Sequence, residues 1–307
     1  TQLLNMELHC HNVFSNFMND SPRIPFDCGV TIEDQLYLAY EKKIDALFIT
    51  NHNTLNGYKQ MVAYRDNHEK LRRIKIYPAE EITINTKGHI LAYGIYETIK
   101  PGMDIDETLD AIKKQNAISC AAHPFAVSNG IREKAIKCDM IETFNSNNID
   151  HYSNIVAEKF SSDNHMISIA GSDSHVLTTF GRCINSIESE NKLDAILQEM
   201  LKRKSKILKA ELALKEELFE HAYYMLSASR DHLLNYILVH HPSKFSLVKW
   251  TLDSFLSKPN SKLWKILGSL GLYLSKRVSK KVNMKGHNPY VFQDRSWKTL
   301  ISMSLYP

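Results

Sequence analysis

The sequence of 307 residues lacks any long uninterrupted apolar run. No stretch approaches the roughly 18 to 20 apolar residues that a membrane-spanning helix needs. The first residues, TQLLNMELHCH, also lack the basic region followed by an apolar run that is typical of a secretory signal. We therefore predict no transmembrane segment and a soluble, cytoplasmic protein. Its length allows one large domain with an appendage, or two domains.

Cysteine is scarce, and its spacing indicates no site. The five cysteines are Cys10, Cys28, Cys120, Cys138 and Cys183. Their number is odd and no two of them form a CxxC pair, so neither a disulfide framework nor a thiolate zinc site is indicated. We expect reduced thiols.

Acidic residues are scarce in only one part of the chain. Residues 1–200 contain 19 Lys/Arg and 27 Asp/Glu, whereas residues 201–307 contain 19 Lys/Arg and only 7 Asp/Glu. This split predicts two functional parts, the second of which presents a solvated basic face or meets an anionic partner. The partner could be a nucleic acid, because Trp250, Trp264 and Tyr273 add stacking groups, or a membrane surface under residues 261–282. These aromatic residues also fit an apolar stripe that would face the core, formed by Leu263, Leu267, Leu270, Leu274 and Val278.

Short apolar runs alternate with segments of helical spacing from Met6 to about Gly181. Seven runs are predicted as strands: MELHC, ALFIT, IKIYPAE, HILAYGI, AISCAA, MIETF and MISIAG. Thr31 and Asp106 mark plausible helix starts. Repetition of strand and helix predicts a parallel sheet, either open or closed into a barrel. After Glu188 no strand pattern is convincing, and we predict a helical appendage.

Histidine and carboxylate side chains stand at the ends of nearly all the predicted strands. His9 and His11 form an HCH motif after the first strand, where a period of two points both side chains to one face. The further candidates are His52, Glu80, Glu81, His89, His123, Glu142, Asp173 and His175. In a closed parallel sheet the chemistry gathers at the carboxyl ends of the strands. These side chains would then form a multi-metal site of imidazole and carboxylate ligands.

A single histidine of this kind is more often a surface or satisfied core residue than a metal ligand. The shared placement of His9, His11, His123 and Asp173 is what favours a metal site. Glu80 and Glu81 compete for one inward position. Glu142 could instead hydrogen-bond a ligand from outside the metal shell.

These motifs, in this order, resemble the PHP (polymerase and histidinol phosphatase) family. The resemblance covers roughly residues 5–190 and rests on HCH at 9–11, ITNHNT at 49–54, PAEEIT at 78–83, GHILAYGI at 88–95, AAHPFA at 121–126, MIETFN at 140–145 and GSDSH at 171–175. It implies a distorted seven-stranded (β/α) barrel that binds up to three ions of zinc, manganese or iron. We therefore predict a catalytic barrel over residues 1–190 and a basic, mainly helical region over residues 191–307.

The resemblance also implies a ligand set for each ion. The first metal would be held by His9, His11, Glu81 and Asp173, the second by Glu81, His89 and His123, and the third by His52 and His175. Glu81 is preferred because the family's glutamate usually precedes a β-branched residue and Ser/Thr, as Glu81 precedes Ile82 and Thr83.

Two positions depart from the family pattern at the third metal. Where the family commonly has Asp before the histidine of the second motif, this chain has Asn51. Where it commonly has Ser-Asp after HxH, this chain has Asn16 after its serine. We therefore expect either weak binding of that ion or a replacement ligand such as Asp20 or Asp27.

Such a cluster suits the hydrolysis of phosphate esters. Two divalent ions bridged by a carboxylate can lower the pKa of a water and neutralise phosphoryl oxygens. We predict a metal-dependent phosphoesterase whose substrate is a phosphorylated small molecule or a nucleotide. His52 or His175 would protonate the leaving group if the third metal is absent. Arg182 would bind the phosphate through two parallel hydrogen bonds, although a helix cap or a surface salt bridge suits it equally.

Three alternatives stay open at this point. The chain could be an exonuclease on RNA or DNA ends, with the basic tail as a clamp. It could be a histidinol phosphatase, which the resemblance allows. Outside enzymes, it could be an inactive barrel that serves as a binding or scaffold module, although five intact ligands argue against a decayed site. The oligomeric state is not predicted.

Overall fold

A large sheet with helices packed against it organises the chain, as seen in a computed structural model. The structure describes residues 1–18, 20–148 and 150–292, together with Ile301, Ser302 and Leu305. The strands are β1 (Gln2–Glu7), β2 (Phe17–Met18), β3 (Ser21–Pro22), β4 (Ala46–Ile49), β5 (Lys75–Thr83), β6 (His89–Tyr93), β7 (Ile118–Ala121), β8 (Met140–Asn145), β9 (Ile167–Gly171), β10 (Cys183–Ser189) and β11 (Lys206–Ala210). The helices are α1 (Ile32–Glu41), α2 (Tyr58–Asp66), α3 (Ile105–Lys114), α4 (His151–Asp163), α5 (Leu193–Leu201), α6 (Lys215–Ala228), α7 (Arg230–His240), α8 (Phe245–Ser257) and α9 (Lys262–Lys285). Short 3₁₀ turns lie at Val13–Asn16, Glu69–Leu71, Arg132–Lys137, Leu177–Thr179, Pro242–Lys244 and Pro289–Phe292.

Nine strands form one mixed sheet in the order β11-β10-β1-β4-β5-β6-β7-β8-β9. The pairs β1–β4, β4–β5, β7–β8 and β8–β9 are parallel, as predicted. Strand β6 is antiparallel to both of its neighbours. It follows β5 after only residues 84–88, whereas a parallel crossover needs about a dozen residues or more. The expectation of a parallel sheet is therefore correct for only part of it.

Strands β10 and β11 make the sheet larger than the expected seven strands. Strand β10 pairs antiparallel with β1, and β11 pairs antiparallel with β10. Strand β11 lies inside a run that we predicted to be helical, so that prediction is wrong there. Lys206 and Lys209 interrupt the apolar pattern of this strand, and charged side chains are common on edge strands. The side chain of Asn185 on β10 bridges to β9, with its amide donating to the Ala170 carbonyl at 2.7 Å and its oxygen accepting from the Ala170 N–H at 3.0 Å. The nine strands thus form a nearly closed, barrel-like sheet.

The sheet runs past the predicted domain boundary at residue 190, as far as Ala210. The division into residues 1–190 and 191–307 therefore stays a prediction. Helices α6 to α9 follow, and α8 and α9 lie where helices were predicted. In α9 only the second half packs on the barrel, where Val278 and Val282 are buried beside Val127. The Leu263, Leu267 and Leu270 part of the predicted stripe is about half exposed.

Apolar packing on the sheet fixes the strand ends. The largest buried cluster joins side chains of the strands with those of α5, and includes Leu4, Met6, Phe48, Tyr93, Ile169, Ile196 and Met200. Helix α3 begins at a capping box in which Asp104 accepts from the Glu107 N–H at 2.9 Å and Glu107 accepts from the Asp104 N–H at 3.2 Å. This cap lies two residues before the Asp106 that was predicted. Within the described part of the chain, no helix combines the length and apolar character required to cross a membrane.

Candidate metal centre

The eight side chains predicted to hold metal ions lie together in the structure. His9 and His11 follow β1, His52 follows β4, Glu81 lies in β5, His89 begins β6, His123 follows β7, and Asp173 and His175 follow β9. Seven of them are buried, and His89 is half-buried. The sheet therefore brings ligands from six separate parts of the chain to one place.

Glu81 is at the centre of this cluster. Its Oε2 lies 3.3 Å from His9 Nε2, 3.0 Å from His11 Nε2 and 3.3 Å from His52 Nδ1. Its Oε1 lies 2.7 Å from His89 Nδ1 and 3.0 Å from His123 Nε2. One carboxylate thus faces five imidazoles, an arrangement that suits a ligand shared between ions.

Three overlapping groups of side chains each bring their ligand atoms within 4.8 Å of one another. They are His9, His11, Glu81 and Asp173; His52, Glu81 and His89; and His11, Asp27, His52 and His175. Four buried atoms of these groups have no hydrogen-bond partner among the described residues, namely His9 Nε2, His52 Nδ1, Glu81 Oε2 and Asp27 Oδ2. His123 belongs to none of the three groups, although its Nε2 lies 3.0 Å from Glu81 Oε1. Leaving buried polar atoms unpaired costs free energy. Orphaned imidazole nitrogens and carboxylate oxygens that converge in this way fit divalent metal ions.

Glu142 orients two of the ligands through hydrogen bonds on the side away from Glu81. Its Oε1 lies 2.7 Å from His9 Nδ1, and its Oε2 accepts the backbone N–H of His123 at 2.6 Å. With its Nδ1–H donated to this carboxylate, His9 keeps Nε2 for the cluster. Gly171 is required beside this pair, because a Cβ there would collide with Glu142 Oε1 and lie 2.6 Å from the His9 Cβ. Glu142 therefore has the supporting position that the sequence left open.

Asp27 supplies a carboxylate where the family pattern is broken. Its Oδ2 lies 3.1 Å from His175 Nε2 and 3.4 Å from His52 Nε2. His175 Nδ1 in turn lies 2.8 Å from the Asp173 carbonyl, so an Nδ1–H donated there leaves Nε2 to face Asp27. The other candidate replacement, Asp20, is exposed and belongs to none of the three groups.

The two asparagines that replace family carboxylates have structural partners. Asn16 Oδ1 accepts the backbone N–H groups of Asp27 and Cys28 at 2.6 and 2.9 Å, which holds Asp27 toward the histidines. Asn51 Oδ1 accepts the Ser15 hydroxyl at 2.9 Å, and Ser15 Oγ lies 3.0 Å from His11 Nδ1. Both asparagines therefore position ligands.

Glu80 and Glu81 face different surroundings. Glu80 Oε2 accepts the Ile99 N–H at 3.3 Å, and its Oε1 has no hydrogen-bond partner among the described residues. Burial raises the pKa of Glu80 to about 8, although the Ile99 N–H opposes the change. The structure thus places Glu81, and not Glu80, among the histidines.

The charges of the cluster are strongly coupled. Burial alone would raise the pKa of Glu81, but His89 and His52 outweigh it and hold that pKa well below its usual range. Burial likewise opposes ionisation of Asp27, yet His175 and His52 keep its pKa well below the ordinary value. Burial lowers the pKa of His175, but Asp27 raises it more, to about 9. Burial dominates at His52, whose pKa is well below normal. Both carboxylates are ionised at neutral pH, which is the form that binds metal.

Helix α6 adds groups to the cluster that the sequence did not indicate. The His221 ring lies 4.6 Å from the His175 ring, and its Nε2 lies 2.7 Å from the Asp27 carbonyl. Burial, and then His175, lower the pKa of His221 to about 4, so it is neutral and donates this hydrogen bond. Asn16 Nδ2 donates to the Tyr224 hydroxyl at 3.0 Å. Only the fold could reveal the two hydrogen bonds, because 194 residues separate Asp27 from His221 and 208 separate Asn16 from Tyr224.

Arg182 contacts a carboxylate in the structure. Its Nη2 lies 2.8 and 2.9 Å from the two carboxylate oxygens of Glu217, and its Nη1 donates to the Leu212 carbonyl at 3.2 Å. Glu217 also accepts the Leu214 N–H at 2.8 Å and so caps α6. Arg182 thus ties α6 to the barrel, and its predicted contact with a phosphate stays a prediction.

Comparisons with known proteins agree with the resemblance drawn from the motifs. A sequence model of a family described as PHP-associated matches residues 151–205. Two uncharacterized proteins of Methanocaldococcus jannaschii are similar. MJ1587 is 28% identical over 125 residues, which cover 40% of this chain and 70% of that protein. MJ0417 is 26% identical over 176 residues, which cover 49% of this chain and 74% of that protein.

Two solved structures align with parts of this chain. The crystal structure of PsfC from Pseudomonas syringae PB-5123 aligns with a TM-score of 0.51 at 17% identity, over 74% of this chain and 99% of that one. The lesion-specific endonuclease PfuEndoQ from Pyrococcus furiosus aligns with a TM-score of 0.47 at 15% identity, over 67% of this chain and 58% of that one. The first of these shows a shared fold.

The fold and the site together define a mixed α/β protein with a nearly closed barrel-like sheet and a cluster of His, Asp and Glu side chains suited to divalent metals. The resemblance to the PHP family is confirmed by the match to the PHP-associated family model.

Proposed function

We propose that the chain is a metal-dependent hydrolase of phosphate esters whose substrate is a phosphorylated small molecule or a nucleotide. The observation that carries this proposal is the position of Glu81, buried among five imidazoles at 2.7 to 3.3 Å. Ions of zinc, manganese or iron held there would supply positive charge for phosphoryl oxygens and a water of lowered pKa. His9, His11, Glu81, His89, His123 and Asp173 would hold them.

The third group, with His11, Asp27, His52 and His175, has two possible roles. With an ion bound, its imidazoles are ligands. Without one, His175 is the better proton donor for the leaving oxygen. Its pKa of about 9 keeps it protonated at neutral pH beside Asp27, whereas burial keeps His52 neutral.

Metal content and turnover test this proposal together. Elemental mass spectrometry of the purified protein should find at least two ions per chain. Hydrolysis would then be followed on phosphomonoesters, nucleoside bisphosphates and short 5′-phosphorylated RNAs. His9→Ala and Asp173→Ala should lose metal and activity but keep the fold, while His240→Ala, an exposed histidine of α7, should lose neither. If the wild type shows no metal and no turnover with added manganese, zinc or iron, the proposal is replaced by a binding or scaffold role.

The exonuclease alternative depends on a different observation. Residues 230–292 contain 11 Lys/Arg and only 2 Asp/Glu. A basic region that binds a phosphate backbone releases counterions, so its affinity falls steeply with salt concentration. Binding of single-stranded RNA or DNA to the whole protein, measured at several salt concentrations, would support this alternative if the affinity falls linearly on logarithmic axes and the same strand is shortened from one end.

A further inference from the structure

A cavity of about 180 Å³ opens beside the metal cluster. Its lining includes His123 and Asp173 of the cluster, Asn129 and Asn147, and Ser275 and Ser279 of α9. The cavity is smaller than the roughly 300–1,000 Å³ of sites for drug-sized ligands. It is thus the space into which the part of a substrate beyond its phosphate would extend.

Polar contacts hold α9 against the barrel at this cavity. Asn283 Nδ2 donates to the Phe125 carbonyl at 3.1 Å and to Ser279 Oγ at 3.0 Å. Arg132 Nη2 donates to Asn283 Oδ1 at 3.1 Å. Ser279 Oγ also lies 3.4 Å from Ser153 Oγ at the start of α4. The wall formed by α9 is therefore anchored at several points, and the size of the cavity follows from its position.

No lysine or arginine is among the described residues that line the cavity. Two of these 13 residues are acidic, Asp150 and Asp173. Asp150 caps α4 by accepting the Ser153 N–H at 3.0 Å. A second phosphate or a carboxylate placed away from the cluster, beside Asp150, would lose water without gaining a lysine or arginine, which costs free energy. The lining thus disfavours an anionic group at this end of the substrate.

Side-chain amides and hydroxyls dominate the remaining lining. Among the described residues, the side-chain amides of Asn129 and Asn147 have no hydrogen-bond partner, and both residues are half-buried. An amide offers two donors and an acceptor, which matches the hydroxyl groups of a polyol. A site built to bind hydroxyl groups discriminates strongly against analogues that lack them, because its own polar groups are then left unpaired.

We propose that the substrate is the phosphate monoester of a small, uncharged, polyhydroxylated alcohol such as a sugar, whose alcohol part lies in the cavity closed by α9. This inference rests on the proposed function. In the reaction, the oxygen of water bonds to phosphorus and the bond between phosphorus and the alcohol oxygen breaks. The alcohol oxygen takes a proton, so the products are inorganic phosphate and the free polyol.

A substrate series tests the chemical class. Kinetics of the metal-loaded, full-length protein would be compared on glycerol 3-phosphate, ribose 5-phosphate and glucose 6-phosphate, and on fructose 1,6-bisphosphate and a 5′-phosphorylated dinucleotide. We expect kcat/KM to be at least about 10-fold higher for one of the monophosphates, equivalent to about 1.4 kcal/mol of discrimination. An equal or higher value for the bisphosphate or the dinucleotide would overturn the inference.

Two variants test the location. Ser275→Trp fills the cavity from α9, and Ile266→Trp places the same indole on the exposed side of that helix. We expect Ser275→Trp to raise KM for sugar phosphates at least about 10-fold, with metal content unchanged, because the alcohol part loses its space. The rise in KM should be smaller for methyl phosphate, whose alcohol part is too small to need the cavity. Ile266→Trp should match the wild type on every substrate.

Asn147→Asp tests the role of charge without changing the size of the side chain. The added negative charge should lower kcat/KM for glycerol 3-phosphate relative to phosphoethanolamine, whose alcohol part is cationic. Asn260→Asp, in the exposed turn before α9, should leave this ratio unchanged.

The outcomes separate this inference from the function on which it rests. A wild type that binds metal but hydrolyses no phosphate ester would remove the proposed function, and this inference with it. A wild type that hydrolyses sugar phosphates with a KM that Ser275→Trp does not change would overturn only the assignment of the cavity.

Discussion

Replacement of Glu81 by Gln is the sharpest single test of the metal centre. The substitution keeps the size of the side chain and removes one negative charge from among five imidazoles. Two of the three candidate ligand groups contain Glu81, whereas the group of His11, Asp27, His52 and His175 does not. We therefore expect Glu81→Gln to remove two ions at once, and to leave any ion of the third group in place.

The expected magnitude follows from the position of Glu81. Substitution of a residue that only supports a ligand typically lowers metal affinity about 10- to 100-fold. A residue whose oxygens themselves reach both ion positions should exceed that range, so we expect a loss of at least about 100-fold at each position. Such a loss corresponds to about 2.8 kcal/mol for each ion. Binding to the folded state alone stabilises it, so the gain in Tm on adding metal should shrink accordingly.

The assay is metal stoichiometry by elemental mass spectrometry after dialysis against a graded series of chelator concentrations. Glu80→Gln is the matched control, because Glu80 is equally buried, adjacent in sequence and turned toward Ile99. Wild-type stoichiometry and affinity in Glu81→Gln would refute the assignment of Glu81 as the shared ligand. Loss of metal in Glu80→Gln as well would indicate a general disturbance of β5.

Three further predictions concern the surroundings of the centre. Glu142→Gln should weaken metal binding about 10- to 100-fold without lowering the number of ions at saturation, because it disturbs the orientation of His9 and the position of His123 but removes no ligand. Chelator competition measures this affinity, and an unchanged value would contradict the prediction. Arg182→Ala should lower the free energy of unfolding by roughly 1–3 kcal/mol in denaturant titrations, because the buried Glu217 loses its partner. A raised KM with unchanged stability would instead favour the phosphate contact predicted from the sequence. In metal-free protein, the raised pKa of Glu80 means that the folded state holds a proton that the unfolded state has released, so stability should fall as the pH rises from about 4.5 to about 8. Over this range the free energy of unfolding should fall by a few kcal/mol, on the order of 1.4 kcal/mol per pH unit, and Glu80→Gln should abolish that fall. An identical pH profile for wild type and variant would show that the burial of Glu80 has no such effect.

The ligand motifs could be predicted from the sequence because they are local. His9 and His11 are two residues apart, and Asp173 and His175 stand in one turn after an apolar run. A parallel strand delivers the residue after its last apolar position to a known edge of the sheet. The choice of Glu81 over Glu80 followed from the family resemblance, and the structure shows the physical difference, since successive side chains of a strand point to opposite faces.

Other features depend on contacts between distant parts of the chain. The sequence pattern did not indicate β10 or β11. In β11, Lys206 and Lys209 mask the strand pattern, and pairing with β10 forms this edge strand. It left Asp20 and Asp27 as equal alternatives. The structure decides for Asp27, whose N–H donates to Asn16 Oδ1 and whose carboxylate lies 3.1 Å from His175 Nε2. The spacing of apolar residues predicts one continuous core-facing stripe along α9, yet only the second half of the helix packs on the barrel.

The sequence by itself determined which side chains could bind metal, because imidazoles and carboxylates recur at the end of one apolar strand after another. Only the tertiary structure decided the size and lining of the cavity beside these side chains. The α9 residues that line the cavity lie more than 100 positions from His123 in the sequence. Asp27 is as distant from His175, and His221 is as distant from Asp27. Such contacts are set by packing and by hydrogen bonds between elements, which local sequence patterns do not encode.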